Sequence, residues 1–195
     1  MNKSNIRKLK LQVQMSIDGF IGGPNGEMDW VTFNRENDIM NCVNELTDSV
    51  DTILLGRKMA EGFISYWTNV VTKPDDSNFE FAKKMVDKPK VVFTKTLSKS
   101  PWNNTSLANG ELVDEINKLK RQPGKDIIVY GGAEFVSSLI TKNLIDEYHI
   151  SVNPVAIGKG ITIFKNLEKR QNLELVKSVR FNCGKVLLCY TPSLI

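Results

Sequence analysis

Histidine is almost missing from this chain: His149 is the only one, and the three cysteines, Cys42, Cys183 and Cys189, show no CxxC spacing. A structural zinc site takes four nitrogen or sulfur ligands at short recurring separations, so a metal is not expected. No apolar run approaches the ~20 residues that a helix needs to cross a bilayer, which argues against a membrane span. Like charges never run to five in succession, and 26 Lys+Arg against 22 Asp+Glu leave a net charge of +4. The basic stripe of a nucleic-acid surface is therefore lacking. An odd cysteine count, with residues 1–10 basic and polar and without the apolar stretch of a secretory leader, leads to the expectation of a cytoplasmic protein.

What is present suits a packed globule: hydrophobic residues make up 41% and charged residues 25%. A core for 195 residues can bury well over half of the unfolded surface, so one domain over 1–195 is expected. The mild positive balance suits a phosphorylated small ligand as well as it suits plain solubility.

Periodicity orders the chain. Residues 9–15 (LKLQVQM) alternate as a strand with one face on a core, and 17–28, with four glycines and a proline, form an irregular loop. Residues 33–46 carry helical spacing. Short, almost wholly apolar runs at 51–55 (DTILL), 90–94 (KVVFT) and 126–130 (DIIVY) are strands covered on both faces. Helices are expected at 57–64, 78–86, 110–121 and 133–141, the last ended by Asn143, with an irregular connection at 66–78. A strand at 146–152, a turn at 154–160 and paired strands at 173–181 and 185–190 complete the chain. The pattern describes a three-layer α/β/α sandwich with a mixed sheet, parallel in the centre and antiparallel in its C-terminal hairpin.

Three strand ends carry chemistry. Tyr130-Gly131-Gly132-Ala133-Glu134-Phe135 passes from a buried strand through two glycines into a helix, where free N–H groups and the helix dipole favour a phosphate. It also lacks the GxGxxG spacing, serves equally as a tight turn, and carries in Glu134 a charge that repels an anion. Gly56-Arg57-Lys58-Met59 places two cations at a helix start, where they oppose the dipole unless an anion joins them. Phe93-Thr94-Lys95 opens a third strand into a hydroxyl and an ammonium. In a parallel sheet these ends share one edge, where α/β folds bind ligands.

With Met15-Ser16-Ile17-Asp18-Gly19-Phe20-Ile21-Gly22, these stretches, residues 144–155 and Gly158-Lys159-Gly160 occur in the order found in the dihydrofolate-reductase-like superfamily. The chain resembles that superfamily over nearly its whole length. It is more similar to the branch holding the C-terminal reductase domain of bacterial riboflavin biosynthesis enzymes. The resemblance implies NADPH across the carboxyl edge of the sheet, with Gly56, Arg57, Lys58 and Met59 flanking the phosphates. It sets Phe93, Thr94 and Lys95 near the adenosine 2′-phosphate, and Tyr130, Gly131, Gly132, Ala133, Glu134 and Phe135 at the pyrophosphate. It further implies a cis peptide between Gly131 and Gly132, and Gln14 and Ile21 beside the nicotinamide. It implies a homodimer too, with the C-terminal strands or residues 158–164 as contacts.

The proton donor is open. Folate reductases carry an acid on the first helix just past a tryptophan, whereas here Val31 to Arg35 separate Trp30 from Glu36, a register that speaks against folate reduction. Glu27, Asp29 and Glu36 are first solvated loop carboxylates and, as the alternative, candidate donors through water. Trp30 and Trp67, with Phe63 and Tyr66, would wall a pocket for a planar heterocycle or fill the core. Asp18 is first a turn residue and His149 a sheet residue. The expectation is a reductase of a small pyrimidine- or pteridine-like heterocycle; the alternative is a non-catalytic module on the same fold that binds a nucleotide or other phosphorylated ligand.

Overall fold

A computed structural model describes residues 6–31 and 37–193. Its elements follow as β1 (Leu9–Ser16), α1 (Asn37–Asp48), β2 (Val50–Gly56), α2 (Arg57–Val70), α3 (Phe79–Asp87), β3 (Lys90–Phe93) and β4 (Thr105–Ala108). The second half holds α4 (Leu112–Arg121), β5 (Asp126–Val129), α5 (Ala133–Thr141), β6 (Glu147–Asn153), β7 (Leu173–Arg180) and β8 (Val186–Pro192). The strands form one sheet in the order β4-β3-β2-β5-β1-β6-β8-β7. Every pairing from β4 to β6 is parallel, and β8 joins β6 and β7 antiparallel. The α/β sandwich with a C-terminal hairpin is thus observed.

Alternation along the central strands builds both faces of this sheet. Leu54, Val91, Ile127 and Val129 join a core that includes Ile116 of α4 and Val136 and Leu139 of α5, while Ile53, Leu55, Val92 and Ile128 join another with Ala60 of α2 and Met85 of α3. Helices cover both sides, so these strands read as continuous apolar runs.

Three elements differ from the sequence pattern. The α2 helix runs to Val70 instead of stopping near residue 64, because no glycine or proline interrupts it after Gly62 and its aromatic residues pack: Trp67 lies edge-on to Phe63, Tyr66 and Phe81. The β4 strand was not anticipated; its TSLA is short and pairs with β3 alone at the sheet edge. The described part of α1 begins at Asn37, and the expected helical residues 33–36 lie outside the described residues. Asn143 ends α5 in the left-handed region, with φ of 52°. Among the described residues no helix is long and apolar enough to cross a membrane.

Candidate functional site

Parallel strands deliver their carboxyl ends to one edge, and register decides which ends touch. Gly56 of β2 pairs with Phe93 of β3, and Leu54 with Val129 of β5, so the residues after Val129 emerge beside Gly56. The approach is close. A Cβ on Gly132 would lie 3.5 Å from the Gly56 Cα, and one on Gly56 would lie 2.8 Å from the Phe135 Cβ. A side chain at Gly56 would push the two junctions apart, whereas at Gly132 the contact is an ordinary one and the positive φ of 84° is what disfavours a side chain.

The Gly131-Gly132 turn is made without the expected cis bond. Among the described residues no peptide is cis, and φ of 155° at Gly131 and 84° at Gly132 reverse the chain instead, conformations that a Cβ disfavours. Against Gly131 stands the Met59 thioether, 2.9 Å from where a Cβ would sit.

Two helices therefore start side by side. Gly56 is the N-cap of α2 and Gly132 that of α5, and neither start has a side-chain cap. Their first-turn N–H groups lack the partners that capping residues supply elsewhere. Over them Lys58 Nζ lies 2.9 Å from Glu134 Oε2. This bridge resolves two features that look unfavourable in sequence: the Lys58 cation at one helix start and the Glu134 anion, which would repel a phosphate, at the other offset each other. The hydrogen bond from Lys58, and then its charge, hold the Glu134 carboxyl below the usual range.

The third junction flanks them. Thr94 is buried, and its hydroxyl accepts the N–H groups of Thr96 and Leu97, so it shapes the turn. Lys95 is exposed and reaches the Gly110 carbonyl at 3.2 Å and Glu111 at 3.6 Å. The Arg57 guanidinium stands 5.7 Å over the Trp102 ring. Trp102 has no sequence signature; a lone tryptophan in a polar loop gives no reason to select it. Phe93 and Phe135 meet with ring centres 4.8 Å apart and give this edge an apolar floor.

Some expected residues face elsewhere. The Tyr130 ring stacks on Phe63 and its hydroxyl pairs with Thr47; burial pushes that hydroxyl up to about 12. Tyr130 offers the edge only its backbone. Trp67 belongs to the core cluster on the α2 side of the sheet, whereas Phe93 and Phe135 pack against the cluster of the other face. The Gln14 amide oxygen accepts from Asn153 Nδ2 at 3.1 Å and from Lys185 at 3.4 Å, a polar group at the end of β1 and β6.

The loop after β1 is strapped down from outside. Asp18 accepts the N–H of Gly158 at 2.7 Å and that of Ile157, while Ser16 donates to it; that hydroxyl hydrogen bond leads the causes that keep its carboxyl low. Ile21 donates its N–H to the Ile161 carbonyl. Glu27 accepts the backbone N–H and side-chain amide of Asn25, which hold it low and ionised, and its carbonyl accepts the Trp30 indole. Asp29 is exposed in this loop. Glu36 lies outside the described residues. Among the described residues no group of three or more His, Cys, Asp or Glu is placed to hold a metal.

Known proteins share this fold. The RibD C-terminal domain family model matches residues 7–187. YyaP of Bacillus subtilis (strain 168), an uncharacterized protein, is 34% identical over 191 residues, 97% of each chain. A crystal structure of a protein from Shewanella sp. PV-4 superposes with a TM-score of 0.75 at 22% identity, covering 96% of this chain and 99% of that one. Dihydrofolate reductase from Enterococcus faecalis, complexed with NADP(H) and RAB-propyl, gives a TM-score of 0.59 at 15% identity over 95% of this chain and 96% of the other.

Proposed function

The chain belongs to the RibD C-terminal domain family, and from that premise we propose that it is an NADPH-dependent reductase of a small heterocycle, pyrimidine-like by its resemblance to the riboflavin-branch reductases. One observation carries the proposal: two uncapped helix starts, at Gly56 and Gly132, lie in van der Waals contact, so close that a Cβ on Gly56 would meet the Phe135 Cβ at 2.8 Å. In this account residues 1–195 work as one cytoplasmic reductase domain, paired with a second copy.

The residues present fit the cofactor. The N–H groups of Ala133, Glu134 and Phe135 would take the pyrophosphate, with Met59 and the two glycines shaping the cradle. Lys58 offsets Glu134 and so removes the repulsion that an approaching anion would otherwise meet. Arg57 and Lys95, both exposed cations at neighbouring strand ends, would take the 2′-phosphate, one as a planar fork and one as a point charge. Phe93 and Phe135 line the floor. Bound NADPH supplies the hydride, and the chain orients the substrate and excludes water.

A second reading rests on Glu27: its carboxyl is held ionised by Asn25, so it has no proton to give, and Asp29 is open to solvent. The fold would then bind a nucleotide without turning a substrate over. Titration followed by nicotinamide fluorescence separates binding from its absence. Saturable binding of NADPH is expected, with Arg57→Ala/Lys95→Ala weakening NADPH roughly ten- to hundredfold, as loss of charged hydrogen bonds does, and leaving NADH nearly unchanged. Equal losses for both would contradict the 2′-phosphate assignment, and no saturable binding would remove the reductase reading. NADPH binding with no oxidation across a panel of pyrimidines and pteridines would favour the module.

A further inference from the structure

Away from the carboxyl edge, α1 and the strands β1, β6, β7 and β8 border an open pocket of about 190 Å³, lined by Lys10, Cys42, His149, Lys177 and Cys189 among others. Two of the three cysteines and the only histidine meet in this one space. The sheet register sets them in a row: His149 on β6 is the direct partner of Cys189 on β8, which is in turn the partner of Lys177 on β7. Neighbouring side chains on one face of a ladder are held in contact, so the order Lys177, Cys189, His149 is built into the fold.

The atoms in this row form a relay. Cys189 Sγ lies 3.4 Å from His149 Nδ1, and His149 Nε2 lies 3.3 Å from Glu147 Oε2. Glu147 is firmly ionised: the His149 hydrogen bond, then Lys8 and Lys10, bring its carboxyl down to about 2. A carboxylate only accepts, so Nε2 carries the ring hydrogen and Nδ1 is left to accept from the thiol. Burial is the main cause that holds Cys42 and Cys189 as thiols at rest, helped by Glu45 and Asp38 at Cys42 and by Glu147 at Cys189, while Lys177, which lines the same pocket 3.8 Å from Glu45, favours their anionic forms. A thiol of that kind is a strong nucleophile once a neighbour takes its proton.

We propose that Cys189, with His149 as its base and Cys42 as its partner thiol, is a hydroperoxide-reactive redox site separate from the reductase edge. The Cys189 thiol gives its proton to His149 and its sulfur attacks a peroxide oxygen. The O–O bond breaks, sulfur is oxidised to a sulfenic acid, and the departing oxygen takes the proton from His149 to leave as water or an alcohol. The Cys42 thiol then attacks the sulfenic sulfur; the S–S bond forms and the S–O bond breaks, and the hydroxyl leaves as water with the Cys42 proton. The cavity has room for a molecule of this size, because a water occupies about 30 Å³. A disulfide here would tie α1 to β8.

The test uses the whole chain and hydrogen peroxide, with Cys183, in the turn of the hairpin, as internal reference. The expected product is a Cys42–Cys189 link, lighter by two hydrogen atoms, with Cys183 still open to alkylation. In Cys42→Ser, the Cys189 sulfenic acid is expected to persist and to be captured by a 1,3-dione. In His149→Gln, capture at Cys189 should slow by roughly ten- to hundredfold or more, the scale of general-base loss, with Cys183 unchanged and the circular dichroism of the parent. Should that variant not fold, Glu147→Gln is expected to slow Cys189 in the same direction. Cys189 reacting no faster than Cys183, an undiminished rate in folded His149→Gln, or a link that uses Cys183 would overturn the proposal.

Discussion

The parallel and antiparallel parts of the sheet obey different rules. On β2 every residue but one is buried, and on β5 the same is true, whereas β7 has none buried and leaves Val176 64% exposed. Helices on both faces bury the parallel strands and force their carboxyl ends onto one rim; the hairpin is held mainly by its ladder to β6. The half that is most tightly packed therefore also carries the proposed ligand edge, because a rigid sheet can hold two helix starts within contact of one another.

Substitutions of matched size should break this symmetry most plainly. Leu54→Ala, at a fully buried position of β2, is expected to cost about 2–5 kcal/mol, while Leu175→Ala, half exposed on β7, should stay within about 0.5 kcal/mol. Urea unfolding of the two variants checks the contrast, and similar losses would mean that the hairpin carries as much of the core as the parallel strands. Next in size, Gly56→Ala should destabilise by about 1–3 kcal/mol, because its Cβ meets the Phe135 Cβ at 2.8 Å. It should also weaken NADPH binding; a stable variant with unchanged binding would show that the close approach of the two junctions is not needed.

The boundary strand β6 offers a pH test. Glu147 is held at about 2, against 4.5 for an unperturbed glutamate, first by the His149 hydrogen bond and then by Lys8 and Lys10. A folded-state value below the unfolded one gives stability that is complete above about 4.5 and is lost as pH falls towards about 2. Glu147→Gln should be less stable than the parent at neutral pH and should lose less between pH 4.5 and 2, followed by urea midpoints at each pH. Smallest of all, Lys58→Ala should leave stability nearly unchanged, since the pair with Glu134 is open to solvent, yet it should lower NADPH affinity by exposing Glu134 to the phosphates.

The parallel half was the legible one. DIIV and KVVF are read as buried strands because nothing polar interrupts them, and Gly131-Gly132 after DIIV and Gly56 after DTILL mark two of the junctions without any structure, while the third is marked only by Thr94 and Lys95. Pattern failed where tertiary pairing decides: TSLA becomes β4 only because β3 offers an edge. The three junctions are legible as polar strand ends that share one sheet edge, but their contact, the Lys58–Glu134 bridge and the Arg57–Trp102 approach depend on register and on side-chain direction, which local spacing does not encode. Tyr130 and Trp67 show the same limit from the other side: each lies near the right part of the chain and turns its ring into the core of the opposite face.

Amide hydrogen exchange with and without NADPH tests the central claim most directly. The account predicts slowed exchange in the first turns of α2 and α5, after Gly56 and Gly132, and around Thr94 to Thr96, with β7 unchanged. Exchange that is unaffected at all three junctions under saturating NADPH, or that slows on the hairpin alone, would contradict it.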